Sequence, residues 1–239
     1  MIGKDFTFII PAAGRSRRFC NKKSKIFYSY KKKILLEHVI NKFKKITKKI
    51  IIISNKKNLK DLKIFLKDKK IEYIKIIIQK KPTGMGHAVN LALKKVRTKF
   101  SAVIWADQIY LKNETILNTI RLFLKKKSLI TFPVFNKKNP YALILRDKNN
   151  KFSDIIQSRE VNKKFRYGES DCGFFVFKTI IVKKKLNDLI KKKMIVTKKT
   201  KEIDFISSFK YLKKYGDVNI IKAKNVKETV GINSKKNLL

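Results

Sequence analysis

Four short segments of this 239-residue chain carry side chains suited to handling phosphate and a metal. Asp107 ends an apolar run, Ala102 to Ala106, in a chain with only 17 acidic residues. A carboxylate there suits a hard cation such as Mg²⁺, which keeps several waters and binds one or two carboxylates plus phosphates. The plain alternative is a loop or helix-capping aspartate. A second apolar run, Phe6 to Ile10, breaks at Pro11-Ala12-Ala13-Gly14, where small side chains let backbone N–H groups approach a ligand. Arg15, Arg17 and Arg18 follow, then Lys22, Lys23 and Lys25, which makes this loop either a phosphate cradle or a strand-to-loop turn in a lysine-rich protein. Gln79-Lys-Lys-Pro-Thr-Gly-Met-Gly-His87 offers an amide with both donor and acceptor for a base edge, beside two glycines. Read alone, it is equally a glycine turn capping a helix, with His87 structural. The tail, Glu228 to Lys236, places Asn233 after a glycine turn.

The elements that must position these residues follow from periodicity. Phe6 to Ile10, Ile50 to Ser54, Tyr73 to Gln79 and Ala102 to Ala106 read as buried strands. Between them, Ile34 to Ile46, Asn58 to Lys69 and Gly86 to Val96 repeat apolar residues at helical spacing, and Asn113 is placed to cap a fourth helix. Alternating strands and helices predict a parallel sheet covered on both faces. In such a sheet ligands bind beyond the carboxyl ends of the strands, where Ala12, Gln79 and Asp107 all fall. Further on, Leu129 to Phe135, Tyr141 to Arg146, Gly173 to Phe177 and Val218 to Ile221 read as strands. Ile180 to Lys191 and Ile203 to Lys214 read as helices, and Asp147 to Asp171 as too irregular for a core element. The reading is one domain, with a nucleotide half over 1–128 and an elaborated substrate half over 129–239. Trp105, the only tryptophan, reads as core, and His38 as a packing or surface residue.

Composition narrows the class. Hydrophobic residues make up 44% of the chain, enough for a substantial core. No apolar run approaches bilayer length, and the first residues form no signal peptide. Cys20 and Cys172 have no metal-type spacing, and a reduced, cytoplasmic setting is expected. The net charge of +44 raises nucleic acid or an anionic membrane as a partner. However, only eight of the 61 basic residues are arginine, and the lysines lie along almost every segment. That distribution describes solvated faces better than a nucleic-acid-reading surface, and no specific nucleic acid or membrane partner is expected. The excess charge favours polyanionic small molecules.

Taken in order, the segments resemble the sugar-phosphate nucleotidyltransferases. PAAGRSRRF followed by Lys25 is similar to their AAGxGxRM…PK signature. IQKKPTGMGHAV is similar to the Q…PxGTGHA segment of bacterial UDP-N-acetylglucosamine pyrophosphorylase domains, within the MobA-like NTP transferase superfamily. AVIWADQIYL resembles the strand that ends in their metal-binding Asp. NPYALILRDKNNKFSDIIQSREV and GINSKKNLL are similar to their sugar-side and GVNN stretches. The matches are collinear and cover essentially the whole chain.

The resemblance implies a Rossmann-like three-layer α/β fold of the GT-A type, with a mostly parallel mixed central sheet. It implies that Ala12, Ala13, Gly14, Gln79, Gly84 and Met85 hold the nucleotide, and that Arg18 and Lys25 grip the triphosphate as catalytic cations. Asp107 and Asn233 would hold Mg²⁺, and Tyr141, Ala142, Gln157 and Asp171 would face the acceptor. The implied reaction is attack of a sugar 1-phosphate on the α-phosphorus of an NTP, UTP or CTP before ATP or GTP, with release of pyrophosphate. The sequence departs from the pattern at Ser16 and Met85, and on the acceptor side at Ala142, Gln157 and Asp171, where the family has Gly, Glu and Asn. A cytidylyltransferase for a polyol, choline or isoprenoid phosphate is the near alternative. The Arg-Pro pair of the isoprenoid-pathway enzyme is replaced here by Gln108-Ile109-Tyr110. A molybdenum-cofactor guanylyltransferase fits less well, because the sugar-side segments align too far along the chain. From a different class, a basic nucleic-acid-binding pseudoenzyme would keep the fold alone. Ending at Leu239, the chain is expected to lack the acetyltransferase β-helix and so not to be the bifunctional enzyme.

Overall fold

The computed structural model describes residues 2–14 and 24–238. The first strand, β1 (Phe6–Pro11), is buried along its whole length. Such unbroken burial requires helices on both faces of the sheet, which explains a run with no polar alternation. Two-residue hairpin strands, β2 (Ser29–Tyr30) and β3 (Lys33–Ile34), lead into α1 (Leu35–Phe43). Then β4 (Ile50–Ser54), α2 (Leu59–Asp68), β5 (Ile74–Ile78), α3 (Met85–Leu93), β6 (Phe100–Ile104) and α4 (Asn113–Lys125) alternate as the sequence predicts.

Successive side chains on a strand point to opposite faces, and that period divides the core into two layers. Phe6, Phe8 and Ile10 pack with Ile50, Ile52, Ala102 and Ile104 under α1, α2 and α4. Ile9 packs with Ile51, Ile53 and Val103 against Ala88, Ala92 and Leu93 of α3. The result is a three-layer α/β molecule. Each fully buried phenylalanine or isoleucine contributes roughly 1.5–3 kcal/mol of burial.

The second half completes the sheet. It contains β7 (Ile130–Lys138), β8 (Ala142–Arg146), β9 (Phe152–Gln157), α5 (Ser158–Val161), β10 (Tyr167–Asp171), β11 (Phe174–Lys178), α6 (Thr179–Lys191), α7 (Phe209–Leu212) and β12 (Val218–Lys222). Strand order is β10-β7-β11-β6-β1-β4-β5, with β12 also paired to β7. β1, β4, β5 and β6 run parallel, whereas β11 lies antiparallel to β6 and β7, giving a mixed sheet.

Three expectations are corrected. The polar stretch Asp147–Asp171 holds two strands, because β9 pairs with β8 in a hairpin and places Phe152 and Ile155 in the core. Its alternation is interrupted by a register shift at Leu145/Arg146 on the partner strand. The helix expected over Ile203–Lys214 is instead 3₁₀ turns flanking the four-residue α7, and Ile203 bridges Val196. Asn113 is the first residue of α4 rather than its cap; Lys112 stands at the cap, and its N–H donates to the Glu228 carboxylate at 3.0 Å.

Candidate active site

Chain order runs outward from β1 through β4 to β5, then returns to the other side of β1 at β6. The switch point therefore lies between the carboxyl ends of β1 and β6, where loops diverge and leave a crevice. Ala12–Gly14 leaves β1 there, and Asp107 follows β6. A cleft of about 940 Å³ opens at this point. Ala12, Ala13, Gly14, Lys25, Gln79, Gly84, Met85, Asp107, Tyr141, Ala142, Gln157, Asp171 and Asn233 all line it. Arg18, like Ser16 and Cys20, lies outside the described residues.

Three distant parts of the chain converge on one point. The Lys25 ammonium lies 2.5 Å from Asp107 Oδ2 and 3.0 Å from Asn233 Oδ1, so a cation already sits where both oxygens reach. Lys25 begins a 3₁₀ turn whose next residue, Ile26, is 2% exposed and seats the turn in the core. Asn233 is delivered by the tail: the Ile232 N–H donates to the Asp107 carbonyl at 3.1 Å, and Gly231 packs against the Asp107 carboxylate. The tail is held in turn by Glu228, fully buried, which accepts from the N–H groups of Lys112, Lys224 and Asn225. Glu228 is a residue the sequence reading missed, although Asn225-x-x-Glu228 is a capping-box spacing. Among the described residues no group of three His, Cys, Asp or Glu side chains forms a protein-only metal cage.

At Gly14 a side chain would meet nothing within 4 Å, so the backbone there is open to the cleft. The other glycine loop works differently from the expectation. Gly84 (φ +109°) leaves room for the backbone of Ile203 rather than for a base, since a side chain would overlap the Ile203 carbonyl oxygen. Hydrogen bonds Gly86 N–H to Ile203 O and Ile203 N–H to Thr83 O, both 2.8 Å, tie this loop to the second half. Gln79, 4% exposed, directs Nε2 to Gly84 O and His87 Nδ1, each at 3.2 Å, and Oε1 takes no hydrogen bond among the described residues. His87 also pairs with Thr83 Oγ1 at 2.6 Å, and burial, with Lys94 nearby, lowers its pKa and keeps the ring neutral. His87 thus orients Gln79, as a structural histidine.

From the second half of the chain, Asp171 ends β10 and takes the Gly173 N–H at 2.7 Å. Protein surrounds its carboxyl except where it opens to the cleft. Burial, with Asp204 adding like charge, pushes it up to about 6. Asp204, 8% exposed, accepts from Gln157 Nε2 at 2.7 Å, Ser207 N–H at 3.0 Å and the Ser207 hydroxyl, and burial raises its pKa too. Asp204 was also missed in the sequence, where scarcity of acids is the one signal that marks it. Ala142 is 1% exposed and offers backbone rather than a side chain. Tyr141 is 47% exposed, with the Arg159 guanidinium 5.9 Å from its ring centre. Trp105 packs on Phe175 at 5.1 Å, as expected of a core residue, and also lines the cleft.

The fold is thus a three-layer α/β sheet with a cleft of about 940 Å³ at its switch point, floored by backbone and edged by hard oxygens. The chain belongs to the family of MobA-like NTP transferase domains, whose family model matches residues 8–164. It is 32% identical over 246 residues to the bifunctional protein GlmU of Buchnera aphidicola subsp. Schizaphis graminum, and 29% identical over 242 residues to that of Buchnera aphidicola subsp. Acyrthosiphon pisum (strain Tuc7). Both alignments cover 98% of this chain and 50% of the relative, so the chain spans about half the length of these proteins. Among solved structures, a chain assigned as a glucose-1-phosphate thymidylyltransferase from Bacillus anthracis matches with a TM-score of 0.75 at 18% identity, over 98% of this chain and 92% of that one. The inositol-1-phosphate CTP transferase from T. maritima matches with a TM-score of 0.69 at 16% identity, over 91% and 85%. At these identities the two structures bear on the fold alone. Among the described residues no helix is long and apolar enough to cross a membrane.

Proposed function

We propose that this protein is a Mg²⁺-dependent nucleotidyltransferase that moves the NMP of UTP or CTP onto a sugar 1-phosphate and releases pyrophosphate, from a single domain with its nucleotide half over 1–128. The convergence of Lys25, Asp107 and Asn233 between the base loop and the acceptor pocket carries this reading. Gln79 Oε1 accepts from a pyrimidine edge, uracil N3–H or cytosine N4–H, and Ala12 to Gly14 hold the nucleotide by backbone. The acceptor phosphate oxygen forms a bond to the α-phosphorus as the bond from that phosphorus to the bridging oxygen breaks. The electron pair leaves with pyrophosphate, and no protein nucleophile is required. Catalysis then rests on positioning and on fixed positive charge, which Lys25 and Arg18 supply to the triphosphate.

Asp107 and Asn233 present one carboxylate and one amide oxygen, both hard donors suited to Mg²⁺. The metal, when bound, neutralises repulsion between the two phosphate groups. Lys25 holds both oxygens and would have to release them to such a cation, which would leave its ammonium to face the triphosphate.

The test combines pyrophosphate release with Mn²⁺ binding followed by electron paramagnetic resonance. Asp107→Ala is expected to lose roughly 10²-fold or more in turnover and to bind Mn²⁺ more weakly while keeping its circular dichroism. Lys25→Met is expected to slow turnover on a similar scale yet bind Mn²⁺ at least as tightly as the parent. Undiminished turnover in Asp107→Ala would remove the metal assignment, and weaker Mn²⁺ binding in Lys25→Met would remove the exchange.

A further inference from the structure

The loop that follows β1 breaks an alternation that the strand itself keeps. Along an extended strand, successive residues turn their N–H and C=O groups to opposite edges. Phe8 N–H donates to Lys49 O at 2.9 Å and Ala12 N–H to Ile53 O at 2.7 Å, so the even-numbered residues face β4. Continued one residue further, the pattern points both the N–H and the carbonyl of Ala13 the other way, toward β6 and the switch-point crevice. The carbonyl does not go there. It accepts from Asn55 Nδ2 at 3.1 Å, and Asn55 stands just past β4, opposite Ala13 in the register that pairs Pro11 with Ile53. A carbonyl and the N–H that follows it are trans across a planar peptide. Turning the Ala13 carbonyl back to the β4 side therefore sends the Gly14 N–H toward the crevice, beside that of Ala13. Neither N–H has an acceptor among the described residues, although Ala13 is only 4% exposed, and both residues line the cleft. An unpaired buried N–H costs about 1–3 kcal/mol, and two successive ones aimed at the same space make a concave seat for an anionic oxygen.

The Asn55 amide has one orientation open to it. Its Oδ1 accepts the Asn58 N–H at 2.9 Å, in the turn that leads into α2, which leaves Nδ2 for Ala13. One side chain thus closes the turn before α2 and sets the peptide plane of the loop after β1. Asn55 does not itself line the cleft, so it acts through that peptide. With the bond gone, the Ala13 carbonyl can swing into the crevice, where its oxygen would repel a phosphate and the Gly14 N–H would be withdrawn.

We propose that Asn55 is a positioning residue: it holds the Ala13–Gly14 peptide with both N–H groups toward the cleft, as a seat for a phosphate oxygen of the nucleotide. This rests on the nucleotidyltransferase reading above and deepens it. Two variants separate the role from a turn-closing one. Asn55→Ala removes both hydrogen bonds and adds no charge. Asn55→Asp keeps an acceptor for the Asn58 N–H but sets a carboxylate oxygen against the Ala13 carbonyl. Binding of UTP and CTP is measured by titration calorimetry, and Mn²⁺ binding by electron paramagnetic resonance, on folded protein. Both variants are expected to bind the nucleotides roughly fivefold or more weakly, the scale of one or two lost hydrogen bonds, with Mn²⁺ affinity within about twofold of the parent. Parent-like nucleotide binding in Asn55→Asp would reduce Asn55 to a turn residue, and parent-like binding in Asn55→Ala would reduce the Asp effect to its charge. Mn²⁺ affinity that falls as far as nucleotide affinity would mean a general loosening of the cleft. Each of these three results overturns the proposal and leaves the nucleotidyltransferase reading standing. A parent protein that binds none of the four NTPs overturns that reading, and the proposal with it.

Discussion

Asp171 shows how the charge of one buried side chain can weigh against the fold. Its carboxyl is raised to about 6 from an ordinary 3.8, first by burial and then by Asp204. Between those values the native state holds a proton that the unfolded chain has lost, so stability falls as pH rises through that window. Above it the ionised carboxylate is a full penalty, and below it the penalty vanishes. Asp171→Asn keeps the Gly173 hydrogen bond without the charge. It is expected to stabilise the protein by about 1–3 kcal/mol at pH 8 and by little near pH 4. Denaturant midpoints of both proteins at the two pH values check this; equal gains at both would show that Asp171 is not strained by its charge. At this scale the sequence was informative where chemistry is rare. Asp107 stood out because acids are scarce and it closes an apolar run. Asp204 and Glu228 did not, because their roles depend on Gln157, Ser207 and Lys112, partners that only the fold brings near.

The elements divide along the same line. β1, β4 and β6 were legible because strands buried on both faces are continuous apolar runs, and the edge strand β5 because isoleucines fill four of its five positions. β9 and β10 were not, since each has one face toward the cleft and keeps polar residues such as Gln157 and Asp171 there. The Gly84 loop joins both cases: glycine marked a special backbone, but the sequence could not say that the Ile203 segment, rather than a ligand, fills the space. That loop is bonded to Gln79 on one side and to the Ile203 segment leading to Asp204 on the other, so it couples the two halves of the cleft. Gly84→Ala combines φ +109° with overlap of the Ile203 carbonyl, and is expected to cost about 2–4 kcal/mol. A thermal melt with Tm unchanged within a degree would mean that the loop shifts freely and the coupling is absent. Substitution of Gly14, which faces open space, should cost far less stability.

For the whole molecule, the +44 charge is spread over lysine faces around a cleft that concentrates the carboxylates, Asp107, Asp171 and Asp204. Under the proposed function, that outer field would draw polyanions toward the cleft. The two core layers make this arrangement stiff: the switch point between β1 and β6 is fixed by packing on both sheet faces, so the loops beyond it can vary in chemistry without moving the floor. The central claim is the transfer itself. Its most direct measurement is pyrophosphate release by the purified protein with each of the four NTPs against a panel of sugar 1-phosphates, with and without Mg²⁺. The account predicts release that requires UTP or CTP, an acceptor phosphate and the metal together. Folded protein that releases no pyrophosphate under any of these combinations, or releases it equally without an acceptor, would contradict it.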